Sequence, residues 1–324
     1  MSLYKKLKWH FFTKNIIIVS VQKEKIMAKF HIFTDSCSDL TTVLRKKYNI
    51  DYFRMNVVLD GEEKPADLDW KEFTYEEFYG WMYAGRKLKT TQVPAPEFES
   101  KMLEVLKNGE DVLYISCSNR LSGSINTFHL VKEELLEKFP DRKIIGVDSL
   151  ASTGAEGQMT IQAAEMRDAG KSIEEVAKWL EDNRLCFNYY ATVDDLKYLK
   201  NAGRIKGAKA FFGNIMGVKP IIITDAQGNN LAIKNARGTK ASLEEIFNGV
   251  KERMSEETKV VFLGQGKSEA SAAKLKERFE KELGLKVVEF IIGPIIGTSC
   301  GPGVVAACFY GKPVTRFEGD GLKE

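Results

Sequence analysis

The chain has 324 residues, long enough for two domains with a substantial core. Its 44% hydrophobic and 29% charged content is ordinary for a globular protein, and no apolar run is long enough to span a bilayer. The net charge of +3 is uneven: six lysines (Lys5, Lys6, Lys8, Lys14, Lys23, Lys25) against Glu24 put +5 on residues 1–26 and leave −2 for the rest, so the body offers no basic face to nucleic acid.

Residues 1–26 read as a leader. Their lysines flank the apolar run 16–21, too short for a membrane span, and no small-residue cleavage site follows. The leader is expected to be an upstream extension, poorly ordered and without a role. From Met27 the pattern changes. Residues 28–34 read as a strand and Asp35-Ser36-Cys37-Ser38-Asp39 as its turn, with Ser38 or Asp39 expected to cap a helix over 40–48. A strand over 52–59 ends in Asp60-Gly61, a hairpin signal. Residues 74–83 form an aromatic-rich helix whose rings read as core rather than as a cofactor box.

Lys89-Thr90-Thr91-Gln92-Val93-Pro94-Ala95-Pro96 reads as a hydroxyl-bearing loop opening a helix, with Pro96 as its first residue. The run 111–116 reads as a buried strand and 125–137 as a helix, with Ser118-Asn119-Arg120-Leu121-Ser122-Gly123-Ser124 between them. A helix start offers unpaired N–H groups and partial positive charge, which suits a small anion. Taken alone, Ser122 reads first as a plain N-cap. A strand over 142–147, ending in Asp148-Ser149, and helices over 154–169 and 173–183 complete this half. Strands and helices alternate, so a mainly parallel sheet with crossover helices is expected, with ligands outside the strands' carboxyl ends. Thr34, Asp35, Ser116 to Ser122, Asp148 and Ser149 would gather at that edge.

From about Cys186 the pattern shifts to strand 187–193, a short helix ending in Ala202-Gly203-Arg204, and a hairpin of 218–224 with 231–235. Helix 243–254, strand 259–264, helix 269–283, strand 286–292, loop 293–303 and strand 304–310 follow. The fold class read here is α/β with two domains. Residues 27–183 form an N-terminal α/β domain with a mainly parallel sheet, and 184–324 a C-terminal α+β domain with a mixed or antiparallel sheet.

Chemistry-bearing motifs are sparse. There is no G-x-S-x-G, no Walker sequence and no G-x-G-x-x-G. Three histidines and five cysteines (Cys37, Cys117, Cys186, Cys300, Cys308), widely spaced and without C-x-x-C, disfavour structural zinc and a disulfide framework and fit a reducing cytoplasm. What remains is neutral hydroxyls and one cation, Arg204, which also reads as a surface arginine after a C-cap glycine. Gly297-Thr298-Ser299-Cys300-Gly301-Pro302-Gly303 implies tight turns or close backbone approach. Residues 210–216 with Ile291, Ile292, Ile295 and Ile296 supply apolar surface. Hydroxyls at one end and apolar walls at the other suit an amphipathic acid.

From Phe30 to Tyr310 these stretches, in this order, resemble the DegV family of bacterial fatty-acid-binding proteins. The marks are Asp35-Ser36, Thr90-Thr91-Gln92 with its prolines, Leu121-Ser122-Gly123-Ser124, Asp148-Ser149, Tyr198-Leu199-Lys200-Asn201-Ala202-Gly203-Arg204-Ile205, and Ile296 through Gly303. The resemblance implies two α/β domains with a long-chain fatty acid between and inside them. It implies no catalytic residues, no metal and no cofactor beyond that ligand. Family members present the acyl carboxylate to a separate fatty acid kinase, which makes acyl phosphate for phospholipid synthesis. Residue by residue, the family's carboxylate-binding threonine, serine and arginine match Thr90, Ser122 and Arg204. Asp35, Ser36, Thr91, Gly123, Thr298 and Ser299 are further candidates in the cleft. Two departures stand out: Val93 intervenes where members often read T-S-Q-P, and Ser299 stands where many carry a histidine that helps hold the carboxylate region. An enzyme or phosphoryl-transfer component acting on a small anion, without a lipid tunnel, is the alternative.

Overall fold

The computed structural model describes residues 30–206 and 217–316; the leader, the start of the first strand and the apolar stretch 210–216 lie outside the described residues. The first half runs β1 (Phe30–Asp35), α1 (Thr42–Tyr48), β2 (Ile50–Phe53), β3 (Asn56–Leu59), β4 (Glu62–Pro65), α2 (Tyr75–Tyr83), β5 (Leu88–Thr91), α3 (Ala95–Lys107), β6 (Asp111–Ser116), α4 (Ser124–Lys138), β7 (Ile144–Asp148), α5 (Thr153–Asp168) and α6 (Ile173–Asn183). Strands β2-β1-β6-β7 form an all-parallel sheet, and every residue of β6 is buried. Burial on both faces is what an apolar, non-alternating strand signals. A small antiparallel sheet, β4-β3-β5, hangs beside it. Its hairpin turns through Asp60 (φ 53°) and Gly61 (φ 93°), the positive-φ pair such a turn needs.

A 3₁₀ turn, Arg184–Cys186, leads into the second sheet. Its elements are β8 (Phe187–Thr192), α7 (Leu196–Ala202), β9 (Ile205–Lys206), β10 (Val218–Thr224), β11 (Asn230–Arg237), α8 (Gly238–Arg253), β12 (Val260–Gly266), α9 (Glu269–Leu283), β13 (Lys286–Ile291), α10 (Pro294–Cys300) and β14 (Val304–Tyr310). The strand order is β13-β12-β14-β8-β10-β11-β9. Parallel pairs lie at both edges and antiparallel pairs between them, a mixed sheet as expected from the sequence.

Helix α5 joins the two halves. It touches β1 and β6 of the first sheet and β8, β12 and β14 of the second. Burial on opposite sides explains why it shows no apolar stripe. Its glycines permit the close approach. A Cβ on Gly154 would sit 2.9 Å from the Phe290 ring, and one on Gly157 would sit 2.8 Å from the Ser38 carbonyl oxygen.

Several local expectations change. Thr41, not Ser38 or Asp39, caps α1. Asp39 instead turns inward, accepting from the Gly293 N–H (2.9 Å) and the Thr153 hydroxyl (2.7 Å). The strand expected over 52–59 breaks at Arg54 and Met55, and its halves enter different sheets. Thr90 and Thr91 belong to β5 rather than to a loop, opposite Val57 and Asn56. Pro94 is the N-cap of α3, and Pro96 follows Ala95 within its first turn. Residues 294–300, read as loop, are helical. Gly, Thr, Ser and Cys are weak helix formers, but Pro294 suits a first helical position, and Gly301 (φ 76°) ends the helix.

Candidate ligand cavity

Two hydroxyl-bearing segments meet at the N-terminus of α4. Gly123 is its N-cap, so Ser122 lies one residue outside the capping position. The Ser122 hydroxyl still accepts from the Ser124 N–H (3.2 Å) and shares a hydrogen bond with Ser124 Oγ (2.9 Å). Ser124 Oγ in turn accepts from the Val93 N–H (3.1 Å), stitching this loop to the end of β5. Gln92 seals the join: its amide donates to Thr127 Oγ1 at 2.6 Å, and its oxygen lies 2.2 Å from where a Cβ on residue 123 would be. Glycine at 123 therefore makes room for Gln92.

Arg204 approaches from the second half of the chain. It follows Gly203, which ends α7 in the left-handed conformation (φ 65°). Its Nη1 donates to the Ala202 carbonyl (2.7 Å) and its Nε to the Leu121 carbonyl (3.4 Å), one residue before Ser122. Arg204 thus follows a C-cap glycine, as read from the sequence, and also reaches the loop that carries Ser122.

These groups border a cavity of about 930 Å³ between the two sheets. Thr90, Thr91, Ser122, Gly123, Thr298, Ser299 and Arg204 all line it. Each is at least partly exposed, so together they form a polar mouth. Thr298 donates to the Pro294 carbonyl within its own helix (2.7 Å), which commits its proton. Arg86, Lys87, Lys89 and Lys197 add positive charge around the cavity, while among the described residues no aspartate or glutamate lines it. The wall is apolar and buried: Met55, Ile222, Ile292, Ile295, Val304 and Ala306, with Cys37 and Cys117. Of the apolar stretches expected to contribute, Ile292, Ile295 and Ile296 do; Ile291 is exposed on β13.

Asp35 and Ser36 do not line the cavity. Both are fully buried and serve the turn after β1. Asp35 accepts from Tyr114 Oη (2.7 Å) and from the N–H groups of Cys37 (2.9 Å) and Cys117 (3.0 Å). Ser36 donates to the Ala66 carbonyl (2.8 Å) and accepts from the Met55 N–H (3.1 Å). A strand-end Asp-Ser thus builds the floor beneath the site instead of facing a ligand.

Burial raises the pKa of the Asp35 carboxyl, against the pull of its three donors. Burial also pushes Glu156, on α5, well above the usual carboxylate range, and neighbouring Asp35 adds to this. Burial pushes Asp39 up to about 7, opposed by its bonds from Thr153 and Gly293. His129 lies on α4 away from the cavity, its pKa lowered chiefly by burial. Among the described lining residues no nucleophile–base pair of the kind hydrolases use appears. Among the described residues no cluster of three histidine, cysteine or acidic side chains forms a metal site, and no helix is long and apolar enough to cross a membrane.

The sequence reading missed Met55, Cys37, Cys117, Ile222, Val304 and Ala306. Positions at strand ends, turns and strands far apart in sequence carry no local mark of a shared cavity.

Comparison with known proteins gives a consistent picture. The family model described as an uncharacterised protein of the DegV family matches residues 29–312. A DegV domain-containing protein of Clostridium perfringens is 33% identical over 287 residues, covering 88% of this chain and 98% of the relative. A DegV lipid-binding protein of Thermotoga maritima superposes with TM-score 0.78 at 26% identity, over 89% of this chain and all (100%) of that one. A DegV family protein of Thermus thermophilus, described by its fatty acid binding, superposes with TM-score 0.78 at 29% identity, over 87% and 99%.

Proposed function

The chain belongs to the DegV family, and from that premise we propose that it binds one long-chain fatty acid in this cavity and acts as a carrier rather than an enzyme. The observation that carries the reading is a cavity of about 930 Å³ with a hydroxyl-bearing mouth, no acid among its described lining residues, and a buried apolar wall. That volume is in the range of small-molecule sites. Its wall would be wasted on a small anion. The related Thermus thermophilus protein binds fatty acid and supports the same ligand class here.

In this reading the Thr90 and Ser122 hydroxyls donate to the carboxylate and Arg204 supplies compensating charge. The tail lies against Ile222, Ile292 and Val304. Burial at ~0.8 kcal/mol per methylene gives roughly 10 kcal/mol gross for a long tail, before ordering costs. The carrier works in the cytoplasm, its two domains divide at Arg184, and it presents the carboxylate to a separate fatty acid kinase for acyl phosphate formation. Ser299, in place of histidine, weakens that handover more than it weakens binding.

Mass spectrometry of an organic extract of the purified protein, followed by calorimetry on delipidated protein, tests the reading. The expected result is a copurifying long-chain acid and one-to-one binding. Folded, delipidated protein that binds no long-chain acid refutes it.

A further inference from the structure

Two thiols at the end of the first sheet have no part in holding a carboxylate. Cys37 follows β1 and Cys117 follows β6, neighbouring parallel strands in which Phe33 lies opposite Tyr114. Cys117 directly follows β6, and Cys37 lies in the turn two residues past the end of β1. The Asp35 carboxylate fixes both backbones, taking the Cys37 N–H on Oδ1 (2.9 Å) and the Cys117 N–H on Oδ2 (3.0 Å). The two thiols lie close enough that each shifts the other's ionisation, and Cys37 Sγ donates to Met55 Sδ at 3.6 Å. Both residues are buried from the outer surface, yet both line the cavity. The strands they leave lie about 4.8 Å apart, and a disulfide spans roughly 4.4–6.8 Å of Cα separation.

We propose that Cys37 and Cys117 are a reversible oxidation site in the cavity wall, joined as a disulfide by a small hydroperoxide, and that an occupant of the cavity shields them. One thiol loses its proton and attacks the peroxide. The O–O bond breaks, water or an alcohol leaves, and a sulfenic acid remains. The second thiol attacks that sulfur; the S–S bond forms, and the hydroxyl leaves with a proton as water. Two thiols lose two electrons, and the peroxide gains them. The neighbouring Cys117 thiol, burial and the nearby Asp35 raise the Cys37 pKa; Cys37 pulls the Cys117 pKa down, but burial and Asp35 outweigh it, so each is a poor nucleophile by itself. Proximity drives the second step. The bond draws Cys37 from Met55 and ties the loops after β1 and β6 together, which reshapes the wall. The shielding half rests on the fatty acid reading; the oxidation half does not.

The test uses full-length, ligand-free protein exposed to hydrogen peroxide, alkylated in denaturant, and analysed by intact mass and peptide mapping. The expected result is the loss of two hydrogens, a Cys37–Cys117 cross-linked peptide, and reversal by dithiothreitol. Cys117→Ser should give a sulfenic or sulfinic adduct on Cys37 and no cross-link. A bound long-chain fatty acid should slow the wild-type reaction roughly tenfold or more, because access controls thiol oxidation. No cross-link, or one to a different cysteine, overturns the proposal. Equal rates with and without fatty acid, in protein that calorimetry shows to bind it, overturn the shielding. Protein that forms the cross-link but binds no fatty acid overturns the carrier reading and leaves the oxidation site standing.

Discussion

Replacing Ser122 by alanine separates a structural hydroxyl from a ligand-binding one. In the free protein the Ser122 hydroxyl accepts from the Ser124 N–H and bonds to Ser124 Oγ. The residue is half-buried, so water can take over part of this role. The stability cost should be about 1 kcal/mol, the ordinary value for a helix-start hydroxyl. A hydrogen bond to a carboxylate is worth roughly 1.5–3 kcal/mol, so Ser122→Ala should weaken fatty acid binding about tenfold to hundredfold. Thr90→Ala should do the same at a smaller stability cost, because among the described residues the Thr90 hydroxyl has no hydrogen-bond partner to lose. In the proposed mode both hydroxyls donate to one carboxylate, so the double variant should be less than additive. Calorimetry with an acid and an alcohol of equal chain length is the assay. Wild type should prefer the acid, and each variant should lose part of that preference. Equal acid preference in wild type and both variants would place the carboxylate elsewhere and refute the assignment.

Four further outcomes follow from the geometry. Gly123→Ala should displace Gln92 from Thr127, lowering fatty acid affinity while the melting temperature drops by a few degrees at most, roughly 1 kcal/mol; unchanged affinity would show that the Gln92 join does not shape the mouth. Gly157→Val should lose roughly 2–4 kcal/mol in a denaturant titration, because its Cβ meets the Ser38 backbone carbonyl rather than a flexible side chain. Asp39 is held at about 7, above the ordinary carboxylate value of 3.8; the folded state therefore keeps its proton longer than the unfolded state, and stability due to this group falls as pH rises from about 4 to about 7 and is level above. Subtracting the Asp39→Asn stability profile from wild type should show that fall, and a flat difference would contradict it. Ser299→His should increase the preference for acid over alcohol by adding a donor at the mouth, measured by the same calorimetry.

Sequence pattern alone decided the element types of most of this chain. Runs such as 111–116 and 304–310 are apolar enough, and helices such as 173–183 and 269–283 periodic enough, that local chemistry determines them. It also marked the hydroxyl-bearing segments, because glycine, proline and serine clusters are visible without any partner. Wherever a residue's role depends on what lies across a gap, tertiary structure decided instead. Asp35 and Ser36 look like ligand-facing residues until the turn after β1 folds inward onto Tyr114, Ala66 and the following backbone. The segment 294–300 has weak intrinsic helix propensity, and packing against the rest of the fold makes it helical. The cavity wall, from Met55 to Ala306, is assembled from strand ends and turns of the first half with β10, β14 and α10 of the second, which α5 joins. A cavity is a property of surfaces that meet, and residues far apart in sequence reveal it only once the chain has brought them together.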